Sequence, residues 1–306
     1  MSESYSLYPF HVFRIVARLG SVTRAANQLF ISQPAVSAHL KAVEQRCGET
    51  LFERTPRGVT LTTVGQEVLE QINRLFALYE ELPGIVEASR GRISGEIVIA
   101  ASSTPGTYLV PELLRQFQEQ NPEAKPSLMV GDTAEVLQWL HEYRVPLAVV
   151  GELHAGSGLH KFKIGCDELS LIASAKDSVT KIKKLKPEDV RKRTLFIREH
   201  GSSTREATEK LLSDLLPAFG RVVEISNSEA IKQSVIAGLG MAVLSSWSIE
   251  LERKAGLLQL VLDERFKSCR NFYLVRREDR VLTGSAAALW KCLKECEPTN
   301  SAIVRK

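Results

Sequence analysis

The 306-residue sequence predicts an α+β chain built in three parts. Two short helices joined by a tight turn and followed by a strand pair predict a winged helix-turn-helix domain over residues 1–62. An apolar heptad predicts one long linker helix over 63–91, and alternating strands and helices predict an α/β domain over 92–306. The length of the chain also favours more than one domain.

The helix-turn-helix is predicted from its capping residues. Ser21 is suited to cap a short helix that ends at Leu29, and a tight turn follows at 30–32. Ser32 then caps a second helix, which has Pro34 in its first turn and Gly48 just beyond its end. A preceding helix over Leu7–Leu19, capped by Ser6, is expected to pack beneath these two through Leu7, Phe10, Phe13 and Ala17.

Helical spacing divides the second helix of the motif into two faces. The predicted buried stripe, at i, i+4, i+7 and i+11, is Val36, Leu40, Val43 and Cys47. The opposite face is Gln33, Pro34, Ser37, Ala38 and Lys41. In the major groove, Gln33 and Ser37 would bond base edges and Lys41 would meet a phosphate. The alternative is an ordinary helical hairpin with a solvated polar face.

A strand pair at Leu51–Arg54 and Val59–Thr62 is predicted to form a wing. Arg54 and Arg57 lie where a wing reaches the DNA backbone, although they could also be solvated turn arginines. The net charge of the whole chain, +4, permits DNA binding without arguing for it, whereas residues 1–62 alone carry +3.

These segments, with Ser32–Ser37, Leu51–Arg54 and Leu61–Gly65 in order, closely resemble the N-terminal domain of LysR-type transcriptional regulators. The resemblance implies that the protein binds double-stranded promoter DNA in a sequence-specific manner. Many family members carry Arg where this chain has Ala38, so one basic contact is missing. The DNA-contacting residues that we predict are Thr23, Arg24, Ser32, Gln33, Pro34, Ser37, Lys41, Arg54 and Arg57.

The linker helix is predicted to begin after Thr62 and to carry a dimerisation surface. Its heptad positions are Val68, Ile72, Leu75, Tyr79, Leu82 and Val86. So long a seam has no obvious partner in its own domain, so we expect it to pair with the same helix of a second subunit. Pro83 predicts a kink or break near Leu82. The resemblance implies a homodimer through this helix, and often a homotetramer that bends promoter DNA.

Beyond a glycine-containing hinge at 91–95, strands and helices alternate to the end of the chain. This alternation predicts parallel α/β sheets in two lobes. By resemblance the domain is similar to a periplasmic solute-binding fold, in which the chain crosses to a second lobe and returns. Lobe one is then 92–165 with 268–306, and lobe two is 166–267.

Four strand-to-helix junctions rich in hydroxyls predict the site of a small-molecule effector. Each offers N–H groups and a positive helix end, which suit a small anion or short carboxylate without a buried arginine. Taken singly, each junction is more simply a plain N-cap. The family places its effector between the lobes, so the predicted contacts are Ser102, Ser103, Thr104, Thr133, Gly151, Ser202, Ser203, Thr204 and Asn227. Arg205 and Lys232 could add positive charge there.

Other classes of function are disfavoured by what the sequence lacks. Ser203 with His200 has no third residue to orient the histidine, and no dinucleotide or phosphate-binding fingerprint is present, so we expect neither catalysis nor a cofactor. Cys292 and Cys296 are favoured as buried thiols over a metal pair. No export signal or membrane span is predicted, so a cytoplasmic location is expected. The remaining alternative is a solute-binding protein or sensor.

Overall fold

The computed structural model describes residues 6–152 and 158–295 of the chain. The chain folds as two compact units. The first contains the described residues up to Leu82 together with His141–Arg144, and the second contains the other described residues from Pro83 onwards. None of the described helices is long and apolar enough to cross a membrane.

The first unit contains the predicted winged helix-turn-helix. Its elements are α1 (Tyr8–Leu19), α2 (Val22–Leu29), α3 (Gln33–Cys47), β1 (Phe52–Thr55) and β2 (Gly58–Leu61). The Ser21 hydroxyl accepts the Arg24 N–H at 3.3 Å, and the Ser32 hydroxyl accepts the Ala35 N–H at 3.2 Å. Gly48 ends α3 in the left-handed region, at φ 73°, as the sequence predicts. The caps therefore fix both helices of the motif where expected.

The predicted apolar stripe of α1 is confirmed in part. Phe13 is buried, and Leu7 and Phe10 pack at the margin of the core. Ala17 is only half-buried, and Val12, Ile15 and Val16 complete the buried face. The prediction that Cys47 is buried is wrong. Cys47 is exposed, because no residue of α3 beyond Val43 is buried and the last turn of the helix lies outside the core.

The linker helix α4 spans Thr63–Ser89. The Thr62 hydroxyl accepts the Gly65 N–H at 3.0 Å and so caps the helix as predicted. The helix continues through Pro83, so of the predicted kink or break the break does not occur. A proline removes one backbone hydrogen bond, and the helical bonds on either side of Pro83 remain.

The second unit is the α/β domain. Its strands are β3 (Gly95–Ser102), β4 (Ala124–Gly131), β5 (Leu147–Val150), β6 (Leu159–Ser174), β7 (Thr194–Ile197), β8 (Arg221–Glu224), β9 (Met241–Ser245), β10 (Leu258–Leu260) and β11 (Lys267–Arg277). Its helices are α5 (Ser103–Tyr108), α6 (Val110–Gln120), α7 (Thr133–His141), α8 (Pro187–Val190), α9 (Ser203–Leu211), α10 (Ser228–Ile236), α11 (Ser246–Lys254) and α12 (Gly284–Glu295). The two-lobed α/β architecture is confirmed, whereas α5, α8, α11 and β10 were not predicted. The predicted parallel pairing holds only in part, because β6 and β11 are antiparallel to their neighbours.

Two long antiparallel strands join the halves of this domain. The strand order is β4-β3-β5-β11-β6-β9-β7-β8, with β10 also paired to β6. Strands β6 and β11 pair from Leu159 with Arg277 to Ser170 with Lys267. Separate apolar cores lie on either side, one drawn from 97–164 and 272–293 and the other from 169–266. The predicted lobe boundaries, which stay a prediction, fall between these cores.

Candidate DNA-binding and effector sites

The predicted DNA-contacting residues share one property, which is exposure. They lie in the first turns of α2 and α3, on the outer face of α3 and on the wing: Thr23, Arg24, Ser32, Gln33, Pro34, Ser37, Lys41, Arg54 and Arg57. Two of them are partly engaged within the domain. The Ser32 hydroxyl caps α3, and the Arg24 guanidinium donates to the Leu19 carbonyl. The exposed side chains of α3 that are best placed to contact bases and phosphates are therefore those of Gln33, Ser37 and Lys41.

Phe30, which the sequence predicts as part of the tight turn, also lies on this face. It has a positive φ of 55° and is 94% exposed. A bulky residue in the left-handed region is unfavourable, and full exposure of its ring gains no burial. The turn between α2 and α3 therefore carries an apolar group beside the start of the predicted recognition helix.

The predicted dimerisation positions divide into two sets. Val68 is half-buried and Ile72 is buried, and both pack into the core of the winged domain. The remaining four are exposed, and Leu78 and Ile85 join them on the same helix. We call this exposed set the α4 stripe: Leu75, Leu78, Tyr79, Leu82, Ile85 and Val86. A row of large exposed apolar side chains is typical of an interaction surface.

In the effector domain, two of the four hydroxyl-rich junctions are plain helix caps. Asp132 accepts the Glu135 N–H at 2.8 Å, and the Glu135 carboxylate accepts the Asp132 N–H at 2.9 Å. Asn227 is exposed and accepts the Ala230 N–H at 2.9 Å. Ser102 and Ser202 are buried at the starts of α5 and α9, and their side chains do not cap those helices. The other two junctions are thus available for something besides capping.

Arg270 is hydrogen-bonded to both of the remaining junctions, at the starts of α5 and α9. It lies on β11, is 5% exposed, and donates from Nη2 to the Thr104 hydroxyl at 3.0 Å. From Nη1 it donates to the Thr204 hydroxyl at 2.9 Å and to the Ser203 hydroxyl at 3.3 Å. A single guanidinium thereby touches hydroxyls that the predicted ranges assign to both lobes.

Arg198 makes a second bridge of the same kind. It follows β7, is 4% exposed, and donates to the Ser103 hydroxyl at 3.2 Å and to the Ser228 hydroxyl at 2.5 Å. Its Nε and Nη2 also bond both carboxylate oxygens of Glu199, at 2.7 and 2.6 Å. Gly151 lies against the same cluster, because a Cβ at that position would come within 2.8 Å of the Ser203 hydroxyl.

Asp167 holds Arg270 in place from the neighbouring strand. The carboxylate accepts from Arg270 Nε at 2.9 Å and from the Ser245 hydroxyl at 2.7 Å. Burial raises the pKa of Asp167, and the attraction of Arg270 opposes that rise. Burial likewise lowers the pKa of Arg270, and Asp167 opposes it. The pair is therefore strongly desolvated, and each member depends on the other for its charge.

The structure adds positive charge that the sequence prediction did not include. The predicted anion site relied on helix starts and needed no buried arginine, whereas the buried Arg198 and Arg270 bond its hydroxyls. Arg205 bonds Glu209 and Glu224, and Lys232 bonds Glu229 and Glu252. Both of these cations are ion-paired on the lobe-two helices. Thr133 is buried beside the capping Asp132, and no hydrogen bond joins it to either arginine.

The alternation of residues along a strand carries a signal for Asp167 and Arg270, which are not among the predicted site residues. Alternate residues of a strand share a face, so Asp167 lies on the face of Leu169 and Leu171. In the same way Arg270 shares a face with Phe272, which is fully buried. A charged residue on the buried apolar face of a strand is either paired or functional. This rule would have selected both Asp167 and Arg270.

Comparisons with known proteins match both domains. Residues 7–66 match the model of the bacterial regulatory helix-turn-helix protein, lysR family, and residues 90–296 match the LysR substrate binding domain. The chain belongs to the LysR family of transcriptional regulators. It is a DNA-binding regulator rather than an enzyme, and it consists of the two domains on which that family is built.

One curated relative agrees with this assignment, and two solved structures share the fold. The HTH-type transcriptional activator CmpR of Synechocystis sp. is 32% identical over 281 residues, which cover 92% of each chain. Full-length CbnR, solved in complex with its target DNA, has a TM-score of 0.64 at 23% identity and covers 94% of this chain and 99% of that chain. The regulatory domain of Synechocystis PCC6803 CcmR, solved in complex with 2-PG, has a TM-score of 0.60 at 23% identity and covers 66% of this chain and 96% of that chain.

Within the part of the chain that the structure describes, no group of three or more His, Cys, Asp or Glu could hold a metal ion. Cys292 is buried in the core of the effector domain, and Cys296 lies outside the described residues.

Proposed function

We propose that this LysR-type regulator binds operator DNA through α3 and the wing, and that a small anion held between its lobes controls its activity. The effector is an inorganic anion or a short carboxylate. The observation that carries this proposal is the pair of buried arginines, Arg198 and Arg270, each bonded to hydroxyls of both lobes. The complex of CcmR with 2-PG supports a small-molecule effector in a regulatory domain of this fold.

The chemistry of Arg270 explains how an anion would bind. A guanidinium has five N–H donors, and Asp167 accepts only from Nε and Nη2. The other donors face neutral hydroxyls, which the oxygens of an anion can replace with stronger, charge-assisted bonds. Asp167 and Glu199 offset much of the positive charge. The site therefore suits a small anion better than a polyanion.

Binding at this point would couple the effector to the arrangement of the lobes. An anion bonded to both arginines replaces the bonds that now run from each arginine to the opposite lobe. A ligand shifts a conformational equilibrium only by its difference in affinity for the two states. Since the contacts exchanged are the inter-lobe bonds themselves, the anion acts directly on the lobe–lobe equilibrium.

The effector prediction is tested by thermal shift of the full-length protein. Sulfate, sulfite, phosphate, short carboxylates and 2-PG are screened on the wild type and on Thr104→Val. An anion at 100 times its Kd should stabilise the native state by about 2.7 kcal/mol, which raises Tm. Thr104→Val removes a hydroxyl that Arg270 bonds at 3.0 Å, so most of that rise should be lost.

Thr107→Val is the matched control, because Thr107 is exposed on the same helix α5 and bonds only the Ser103 carbonyl within it. This variant should keep the full anion-dependent rise in Tm. The effector proposal fails if no small anion shifts the wild type while an aromatic or nucleotide-like compound stabilises all three proteins equally. DNA binding would be unaffected by that failure.

The DNA prediction separates base contacts from phosphate contacts. Gln33→Ala and Ser37→Ala should each change base preference at one operator position, by about 1–3 kcal/mol. Arg54→Ala and Arg57→Ala should weaken binding to every sequence and lower its salt dependence, by about one unit of slope for each phosphate contact. Footprinting and salt titrations on operator and random DNA measure both. Equal losses on both DNAs for the α3 variants would contradict the assignment of Gln33 and Ser37.

We further propose that the regulator is a homodimer joined through the α4 stripe, and that two dimers assemble as a homotetramer on bent promoter DNA. The stripe offers six exposed apolar side chains along one side of a single helix. A second copy of the helix is the partner that presents a matching surface of the same length.

A further inference from the structure

The strongest concentration of positive charge in the chain lies far along the sequence from the helix-turn-helix. Residues 176–193 contain eight Lys or Arg and three Asp or Glu, a net charge of +5, whereas the whole chain carries +4. The winged domain over 1–62 carries only +3. This segment belongs to lobe two of the effector domain and has no part in the anion site.

Most of these cations are exposed and make no ion pair with any described residue. We call this set the lysine patch: Lys181, Lys183, Lys184, Lys186, Arg191 and Lys192. The acidic residues of the segment are largely occupied. Asp177 bonds Arg193, and Asp189 accepts the backbone N–H of Lys186 at 2.9 Å, which leaves Glu188 exposed. The patch is therefore not neutralised by its own surroundings.

The patch is held on a fixed backbone. The N–H of Leu185, between two patch lysines, donates to the buried Asp263 carboxylate at 2.7 Å, and Arg265 donates to the Leu185 carbonyl at 2.9 Å. The hydrogen bond from Arg265 lowers the pKa of Asp263 and keeps it ionised. A surface depression of about 480 Å³ opens here, lined by Lys183, Lys184, Leu262, Asp263, Glu264 and Arg265. Its acidic members bond Arg265 and Lys267.

We infer that the lysine patch binds the phosphate backbone of duplex DNA outside the operator sequence that α3 contacts. Lysines that are exposed and unpaired give contacts with phosphates that do not depend on base sequence. No aromatic residue lines the depression, so single-stranded bases would have no ring on which to stack. The inference rests on the DNA-binding role of the family. It adds a second contact with DNA, which does not depend on base sequence.

The test compares salt titrations of full-length protein on a bound promoter fragment and on the same fragment trimmed to the operator sequence that α3 and the wing contact. The patch variant carries Lys181→Gln, Lys183→Gln and Lys184→Gln. The control variant carries Lys125→Gln, Lys163→Gln and Lys291→Gln, exposed lysines elsewhere in the effector domain, and has the same net charge. On the long fragment the patch variant should lose about two to three units of the slope of log K against log salt. The control should stay within about one unit of the wild type.

On the trimmed fragment all three proteins should bind alike, because α3 and the wing are unchanged. Identical slopes for the patch and control variants on the long fragment would overturn the inference. They would leave a protein partner with an acidic surface as the remaining use of the patch. Failure of every protein to bind the trimmed fragment would instead count against the predicted DNA face of the winged domain.

Discussion

Replacing Arg270 by methionine should destabilise the effector domain by about 3–5 kcal/mol, the cost of leaving one member of a buried ion pair without its partner. Asp167 is 1% exposed and would keep only the Ser245 hydroxyl and its own desolvation penalty. Urea unfolding followed by tryptophan fluorescence measures this loss selectively. All three tryptophans, at 139, 247 and 290, lie in the effector domain.

The size of that loss should depend on pH. Burial already raises the pKa of Asp167, and removing Arg270 takes away the attraction that opposes the rise. In the folded variant the Asp167 carboxyl then keeps its proton at pH values where the same carboxyl in the unfolded chain has released it. Its free energy of unfolding therefore falls as pH rises from the unfolded pKa towards the folded one, by up to about 1.4 kcal/mol per pH unit. The difference in the free energy of unfolding between Arg270→Met and the wild type should be smaller at pH 5.5 than at pH 8.

Two further variants separate charge from packing. Asp167→Asn combined with Arg270→Met removes both charges, so it should be more stable than Arg270→Met alone. Lys267→Met is the matched control on β11, because Lys267 pairs with the exposed Glu264; it should cost less than about 1 kcal/mol. A gap that does not change with pH, or a double variant as unstable as the single one, would show that Asp167 is not left as a buried charge.

Local signals predicted the winged domain because the residues that define it are neighbours in the sequence. Ser21, Ser32 and Thr62 each cap the helix that follows, three residues away from the N–H that they accept. Gly48 ends α3 for an equally local reason. The family resemblance then supplied the function of the surface that these helices expose.

The centre of the proposed effector site could not be found in this way, because its hydrogen bonds join residues that are distant in the sequence. Arg270 and Thr104 are 166 residues apart, and Arg198 and Ser103 are 95 apart. The sequence patterns indicated the hydroxyls at the junctions, but they did not indicate the two arginines that form hydrogen bonds with those hydroxyls. Only the strand parity of Asp167 and Arg270 carried a hint.

The linker helix shows a different limit. A heptad pattern indicates which positions share a face, but it does not say what covers them. Val68 and Ile72 fit the seam and are used inside the winged domain, whereas Leu78 and Ile85 lie outside the predicted positions and are exposed. The α4 stripe is therefore displaced towards the C-terminal end of the predicted seam.

That displacement determines how dimerisation is tested. Placing glutamate at Leu75 and Leu82, one heptad apart on the α4 stripe, should dissociate the homodimer. Each dimer would bury four carboxylates in an apolar seam, at a cost of several kcal/mol if they stay ionised. A loss of about 3 kcal/mol weakens association more than a hundredfold. Analytical ultracentrifugation should show a species of half the mass or less, and operator affinity should fall with it. Ile72 is avoided, because a charge in the winged-domain core would unfold the DNA-binding unit itself.

Leu75→Met with Leu82→Met is the matched control at the same two positions. Methionine keeps the volume and apolar character of leucine, so this variant should sediment and bind DNA like the wild type. Because the two leucines are 40% and 52% exposed in the single chain, neither pair of substitutions should unfold the protomer. If the glutamate variant keeps the mass of the wild type and its full operator affinity, the α4 stripe is not the dimer interface, and the subunits must associate through the effector domain.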